Sequence, residues 1–362
     1  MKKFLSLFFV CLMTLALAGC GAPTPVKEEK SAKLRVVTTI FPLYDWTRAI
    51  LGGESSHVEL TMLLDKGVDL HSYQPTADDV LKISTCDVFI YVGGESDAWV
   101  KDALKTATNK NMVVLNLMEV LGSRAKVEET TEGMEAHHHH HDHDAAHEEQ
   151  AHHHDHDAAH EEEAHHHDHN ALHEEHGHEH HHAPEYDEHI WLSLKNAQFL
   201  TDAIADALAK ADAAHAETYR KNAVAYREKL ASLDKAYQAA ADGATHKTLL
   251  FCDRFPFRYL ADDYGLTYYA AFSGCSAETE ASFETVAFLA NKLAELKLPA
   301  VLTIEGKNHK IAETVIATAK MPTEKVLTLD SLQSTTAADV AKGATYVDAM
   351  KKNLDVLKQA LR

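Results

Sequence analysis

The chain alternates between two kinds of apolar pattern. From Lys33, the runs "LRVVTTI", "VELTMLL", "DVFIYVG" and "MVVLNL" are short and rich in β-branched residues. Strands buried on both faces look like this. Between them stand segments with helical spacing. "LYDWTRAILGG" stops on glycines, and "PTADDVLKIS" opens with Pro75 and Thr76 followed three positions later by Asp79, a capping-box pattern. "ESDAWVKDALKTA" completes a βαβαβαβ series, which predicts a parallel sheet. The alternation resumes after Ala241, with strands at "KTLLF", "LTYYAAF", "AVLTI" and "KVLTL". Helices are expected at "RYLADDYG", "SFETVAFLANKLAEL", "HKIAETVIATAK" and "TYVDAMKKNLDVLKQAL".

The stretch from Ile190 to Ala241 is alanine-rich and helical in pattern. Tyr219, Ala223, Tyr226, Leu230, Leu233 and Tyr237 recur at intervals of four and three, one apolar stripe on one helix. A helix from Ala213 to Ala241 would be roughly 43 Å long at 1.5 Å per residue, enough to run along two domains and join them. The fold expectation is therefore α/β: two parallel-sheet lobes, residues 33–134 and 244–362, joined by a helical connector over 184–243.

Two segments break the alternation. In the first twenty residues, Lys2 and Lys3 precede an apolar run from Phe4 to Ala18 that is too short for a membrane span. It closes on "LAGC", Leu17 to Cys20, which resembles the bacterial lipobox and implies export with lipidation at Cys20. Residues 21–32 then read as a polar tether. The second break, residues 135–183, contains a 13-residue repeat: "HHHDHDAAHEEQA", "HHHDHDAAHEEEA", "HHHDHNALHEEHG". It has almost no large apolar side chains and predicts no packed core.

Charge and histidine content change the picture only at that repeat. The net charge is -20, yet Glu135 to Glu188 holds 17 acidic residues and no Lys or Arg, so the rest is close to neutral. Nothing here suits nucleic acid. The repeat segment also holds 22 of the 28 histidines. His139, His140, His141, His143, His152, His153, His154, His156, His165, His166, His167 and His169, spaced among carboxylates, read as an accessory metal-binding loop. With no packing to fix geometry, they offer many near-equivalent weak positions rather than one specific site.

Six histidines lie elsewhere. In open α/β sheets, sites form beyond the C-terminal ends of the strands. His71 follows "VELTMLL", His309 follows "AVLTI", and Cys252-Asp253 follows "KTLLF", while His189 enters the connector. If the lobes face each other, these groups could share one cleft. His57, His215 and His246 fall where surface positions are expected, and no role is assigned to them. Of the five cysteines, Cys11 would leave with the signal. Cys86, Cys252 and Cys275 leave open one disulfide plus a thiol, or a metal role for one of them.

"TIFPLYD", "VDLHSYQPT", "DEHIWLSLKNA" and the long helix resemble the zinc- and manganese-specific solute-binding lipoproteins of bacterial ABC importers, from about Leu34 onward. The resemblance implies His71, with Tyr73 and Pro75, as the first metal ligand. It implies His189, with Asp187 and Trp191, as the second, and His309, four residues after Glu305, at a further position. The third position departs from the family pattern. Counting back from "YGL" puts Arg254 there, which cannot bind a cation. Counting from the strand end puts Cys252 there, with Asp253 beside it, and Glu278 or Glu280 are further candidates.

The family implies Zn2+ as cargo, with Mn2+ as the alternative, held in the inter-lobe cleft and passed to an ABC permease served by its ATPase. It also implies an extracytoplasmic monomer held to the membrane by its lipid anchor. Three imidazoles plus one oxygen or sulfur donor suit zinc better than manganese. The competing reading is a surface zinc buffer or sensor that uses the repeat as its main site. No enzyme is expected. There is no phosphate loop or nucleophile elbow, and the one HExxH match, His178 to His182, lies in the repeat segment before Pro184 with no apolar helix face to hold it.

Overall fold

The β-branched runs form the strands of two sheets in this computed structural model, which describes residues 33–52, 56–135, 185–276, 280–306, 308–321 and 325–362. The signal, the tether, nearly all of the repeat segment, and Glu278 lie outside the described residues. In the first sheet β1 (Leu34–Thr38), β2 (Val58–Met62), β3 (Val88–Tyr91) and β4 (Val113–Asn116) are parallel in the order β2-β1-β3-β4. In the second, β5 (Thr248–Phe255), β6 (Thr267–Ser273), β7 (Ala300–Ile304) and β8 (Lys325–Leu329) are parallel in the order β6-β5-β7-β8. Both orders reverse direction beside the first strand of the lobe, where crossovers diverge and leave a crevice.

The helices are α1 (Phe41–Leu51), α2 (Ala77–Thr85), α3 (Val100–Lys105) and α4 (Leu117–Leu121) in the first lobe. The connector comprises α5 (Leu194–Ala211) and α6 (Ala216–Asp242). The second lobe carries α7 (Arg258–Tyr264), α8 (Phe283–Leu296), α9 (Lys310–Ala319), α10 (Ala337–Ala341) and α11 (Tyr346–Ala360). The capping box at Thr76 forms as the sequence predicts: its hydroxyl accepts from the Asp79 amide, and the Asp79 carboxylate accepts from the Thr76 amide at 3.0 Å. This fixes the start of α2, so the loop bearing His71 is anchored at both ends.

Two local differences from the sequence reading matter for the site. The helix expected from Glu95 begins only at Val100. Buried Asp97 accepts a hydrogen bond from the Gly93 amide at 2.9 Å, so the preceding residues turn instead and carry Ser96. Strand β5 outruns "KTLLF" to Phe255, and its register against β6 shifts between Phe251 and Arg254. Such a bulge changes which side chains reach the strand end. It also explains why the two ways of counting to the third position disagree.

The stripe on α6 is buried throughout. This helix touches both lobes: Asn222 donates to the Ile50 carbonyl at 2.9 Å, and the Tyr237 hydroxyl donates to the Met350 carbonyl at 2.6 Å. One apolar core runs from the first lobe through the connector into the second. At its centre the Tyr346 ring meets Trp46 edge-on, and its hydroxyl donates to the Trp191 carbonyl at 2.6 Å. The Trp191 indole donates to the Ser331 carbonyl at 2.8 Å. A smaller core lies between β5, β6, α8 and α9, and it includes Cys252. Among the described residues no helix is long and apolar enough to cross a membrane.

Candidate metal centre

His71 sits in a single helical turn, Leu70–Ser72, just after β2, capped by Asp69, whose carboxylate accepts from the His71 amide at 3.0 Å. His189 lies at the entry to the connector and is wholly buried. The two imidazoles face one another with their Nε2 atoms 3.1 Å apart. Each ring has an acceptor at Nδ1. The Asp187 carboxylate lies 2.9 Å from Nδ1 of His189 and also accepts from the His189 amide at 2.8 Å. The Ser96 hydroxyl lies 2.7 Å from Nδ1 of His71, with Glu188 Oε2 at 3.4 Å. The Asp187 carboxylate holds the His189 proton on Nδ1, and the Ser96 hydroxyl, which accepts as well as donates, permits the same tautomer of His71; in that state both Nε2 lone pairs face the space between the rings.

In that state the two lone pairs repel unless a cation lies between them, whereas the other His71 tautomer makes the same contact an N–H···N hydrogen bond. On a tetrahedral zinc ion with bonds of about 2.0–2.1 Å, two nitrogens would be about 3.3 Å apart, close to the spacing here. A proton is a poor substitute. Burial, and then the neighbouring His189, push the His71 pKa down to about 3. Glu188 Oε2 is buried without a hydrogen-bond partner, and burial raises the pKa of this carboxyl.

Cys275 completes the group. One ring nitrogen of His71, one of His189 and the Cys275 sulfur all lie within 4.8 Å of one another. The cysteine follows β6 in the turn Gly274–Cys275, and its amide donates to Glu128 at 3.0 Å. Burial, then the acidic Glu128, raise its thiol pKa, so the thiolate would form only against a cation. Gly274 is required for this approach: a Cβ there would lie 3.1 Å from Cε1 and 3.2 Å from Nδ1 of His189. Sequence reasoning named Cys252 as the thiol candidate and gave Cys275 no position. The available signal was its place at the C-terminal edge of the strand beside β5.

The other predicted site residues are placed as follows. Cys252 is a free thiol packed in the smaller core, and burial raises its pKa far above the usual thiol range. Asp253 accepts from the amides of Arg254 at 2.8 Å and Ile304 at 3.4 Å. Glu305 accepts from the Ser331 amide and hydroxyl at 2.7 and 2.6 Å. His309 is the N-cap of α9, and its Nδ1 is buried without a partner. Among the described residues, Cys252, Asp253 and His309 join no group of three ligand atoms this close. Cys86, Cys252 and Cys275 are free thiols, so no disulfide forms among the described residues.

Arg254 has a different task. Its guanidinium donates to Asp69 at 2.8 Å and to the Ser276 carbonyl at 3.3 Å. It thus links the His71 turn to the Cys275 turn across the lobes. Burial opposes ionisation of Asp69, but Arg254 and His71 outweigh it and hold its carboxyl below the usual range.

Known proteins share this fold. The family described as "Zinc-uptake complex component A periplasmic" matches residues 36–360. The chain is 32% identical to the "Zinc-binding lipoprotein AdcA" of Streptococcus pneumoniae over 99% of its own length, spanning 61% of that longer protein. It is 30% identical to the "High-affinity zinc uptake system protein ZnuA" of Bacillus subtilis, covering 99% of this chain and 98% of that one. The crystal structure of the Zn(II)-bound ZnuA-like domain of Streptococcus pneumoniae AdcA superposes with a TM-score of 0.63 at 28% identity, over 91% of this chain and 99% of that domain. With a match that begins in β1, ends in α11 and takes in both histidine turns, the chain belongs to the zinc-uptake complex component A family.

Proposed function

We propose that this protein captures Zn2+ between its lobes through His71, His189 and Cys275 and delivers it to an ABC permease driven by its ATPase. The observation that carries this reading is the pair of Nε2 atoms 3.1 Å apart, each ring oriented through Nδ1, with the Cys275 sulfur alongside. Two imidazoles and a thiolate favour zinc over manganese, which prefers oxygen donors. His309 takes the fourth position on loading. Its buried, unpartnered Nδ1 supports this, and the loop after β7, containing Gly306 at φ 148°, would have to bring it across. The chain turns over no substrate; binding and release are its whole task. Lipidation at Cys20 would keep it at the outer face of the cell membrane beside its permease. The His-rich repeat would gather zinc locally with weaker sites.

Cobalt substitution tests the ligand set. A chain lacking residues 136–184, loaded with Co2+, should show a thiolate-to-cobalt charge-transfer band in the near ultraviolet. Cys275→Ser should abolish the band, while Cys252→Ser and Cys86→Ser should leave it. Zinc competition against a chromophoric chelator should show His71→Ala losing tight binding. A band that survives Cys275→Ser, or tight binding that survives His71→Ala, would refute this assignment.

A further inference from the structure

A second group of metal-ligating side chains converges well away from the cleft residues. His57 lies just before β2, Asp212 ends α5, and His215 precedes α6. One ligand atom of each falls within 4.8 Å of the other two. Linear spacing does not join them, because His57 belongs to the first lobe and the other two to the connector. The Asp212 oxygen Oδ2 is the focus, 2.7 Å from Nδ1 of His215 and 3.6 Å from Nε2 of His57. The Tyr219 hydroxyl donates to the same oxygen at 2.7 Å and lies 3.2 Å from Nε2 of His57.

Two features suit the group to a cation. The imidazoles stack with centroids 3.9 Å apart and planes 17° from parallel, which sets both rings beside the one Asp212 oxygen; coordination by both nitrogens would need the rings to tilt toward a shared ion. The carboxylate already has an outer partner in Tyr219, as orienting groups provide around a metal ligand. His57 and His215 are 35% and 43% exposed, so solvent ions can reach them, while Asp212 is largely covered at 15%.

We propose that His57, Asp212 and His215 form a second binding site for a divalent transition metal of the zinc class. Two imidazoles, one carboxylate and a solvent position make an open four-coordinate shell. No thiolate takes part, so the site is chemically distinct from the cleft. Because its ligands come from the approach to β2 and from the α5–α6 corner, the ion pins the first lobe to the connector. It does not depend on the permease-delivery reading.

Residue-resolved histidine modification of the full chain tests the proposal. Diethyl pyrocarbonate labelling is followed by peptide mass spectrometry while free Zn2+ is raised in buffered steps. His57 and His215 should become protected together, with the same half-saturation. Asp212→Asn should shift that protection to at least about tenfold higher zinc, as expected for loss of one ligand in a weak shell. His71→Ala should leave it unchanged, which separates this site from the cleft. If Asp212→Asn is poorly folded by circular dichroism, His215→Gln replaces it and should abolish zinc protection of His57. Labelling of His57 and His215 that ignores zinc, or protection unaltered by Asp212→Asn in a folded protein, would overturn the proposal.

Discussion

Replacing Asp187 by Asn keeps an oxygen beside His189 but removes its charge; replacing it by Ala removes both. In the native site one carboxylate oxygen accepts from the His189 amide and stands 2.9 Å from its Nδ1. Both residues are essentially inaccessible to water, so nothing can substitute for the lost partner. The carboxylate sets which nitrogen carries the proton and makes Nε2 more basic. Losing such a partner costs a metal site 10–100-fold in affinity. Asp187→Asn, which can still accept both bonds, should sit near the lower end, about tenfold or about 1.4 kcal/mol. Asp187→Ala, which frees the ring to change tautomer and rotate, should sit near the upper end, about a hundredfold or about 2.7 kcal/mol. Zinc competition against a chromophoric chelator, using the chain without residues 136–184, measures both. Thermal unfolding of the metal-free variants checks that the fold persists. Asp187→Ala binding zinc within about twofold of its parent would refute the claim that the second nitrogen of His189 governs the site.

Gly274→Ala should disturb the same ring by contact. The new Cβ would lie 3.0 Å from the Phe255 carbonyl and 3.1 Å from His189 Cε1, and the buried ring has nowhere to retreat. Overpacking of this kind costs about 1–3 kcal/mol, visible as a lower Tm, and zinc affinity should fall with it; an unchanged Tm and affinity would mean the turn is looser than it looks. Acidification should release cleft zinc late: burial and the neighbouring His189 push the His71 pKa down to about 3, so the cleft holds its ion well into acid. The same downward shift means the unfolded chain takes up a proton that the fold resists. Metal-free stability contributed by His71 is therefore full above about pH 6.5 and declines below it. Stoichiometry by native mass spectrometry across that range, with urea melts of the metal-free protein, checks both statements.

The strands and most helices were legible because each lobe is a parallel sheet covered on both sides, so its strands are nearly continuous apolar runs. Helices α4 and α10, five residues each, carry too little pattern to register. His71 and His189 were legible because each sits in a local motif at an element boundary. Cys275 was not, since nothing in its neighbourhood specifies a ligand; only the pairing of β6 beside β5 and the turn at Gly274 bring it to the histidines. The third position could not be counted out for a related reason. The bulge in β5 adds a residue that no linear count can place, and it presents Arg254 to Asp69. Asp187 could be read from its spacing to His189, but the pairing of His57 with His215 needed the corner between α5 and α6.

The ends of the chain that flank the His-rich repeat are tied together. Val127 and Tyr186 form an antiparallel bridge, with the Glu128 amide donating to the Glu185 carbonyl and the Asp187 amide to the Lys126 carbonyl, both at 2.8 Å. Tyr259 fastens this tie to the second lobe, its hydroxyl accepting from the Lys126 amide and donating to the Asp187 carbonyl, both at 2.9 Å. Entry and exit are thus one place, immediately before Asp187 and His189. Closing a loop costs only about 0.6 kcal/mol more per doubling of its length. The segment so bracketed contains the three tandem 13-residue units. The tie lets the number of repeat units change without moving the turn that carries Asp187 and His189.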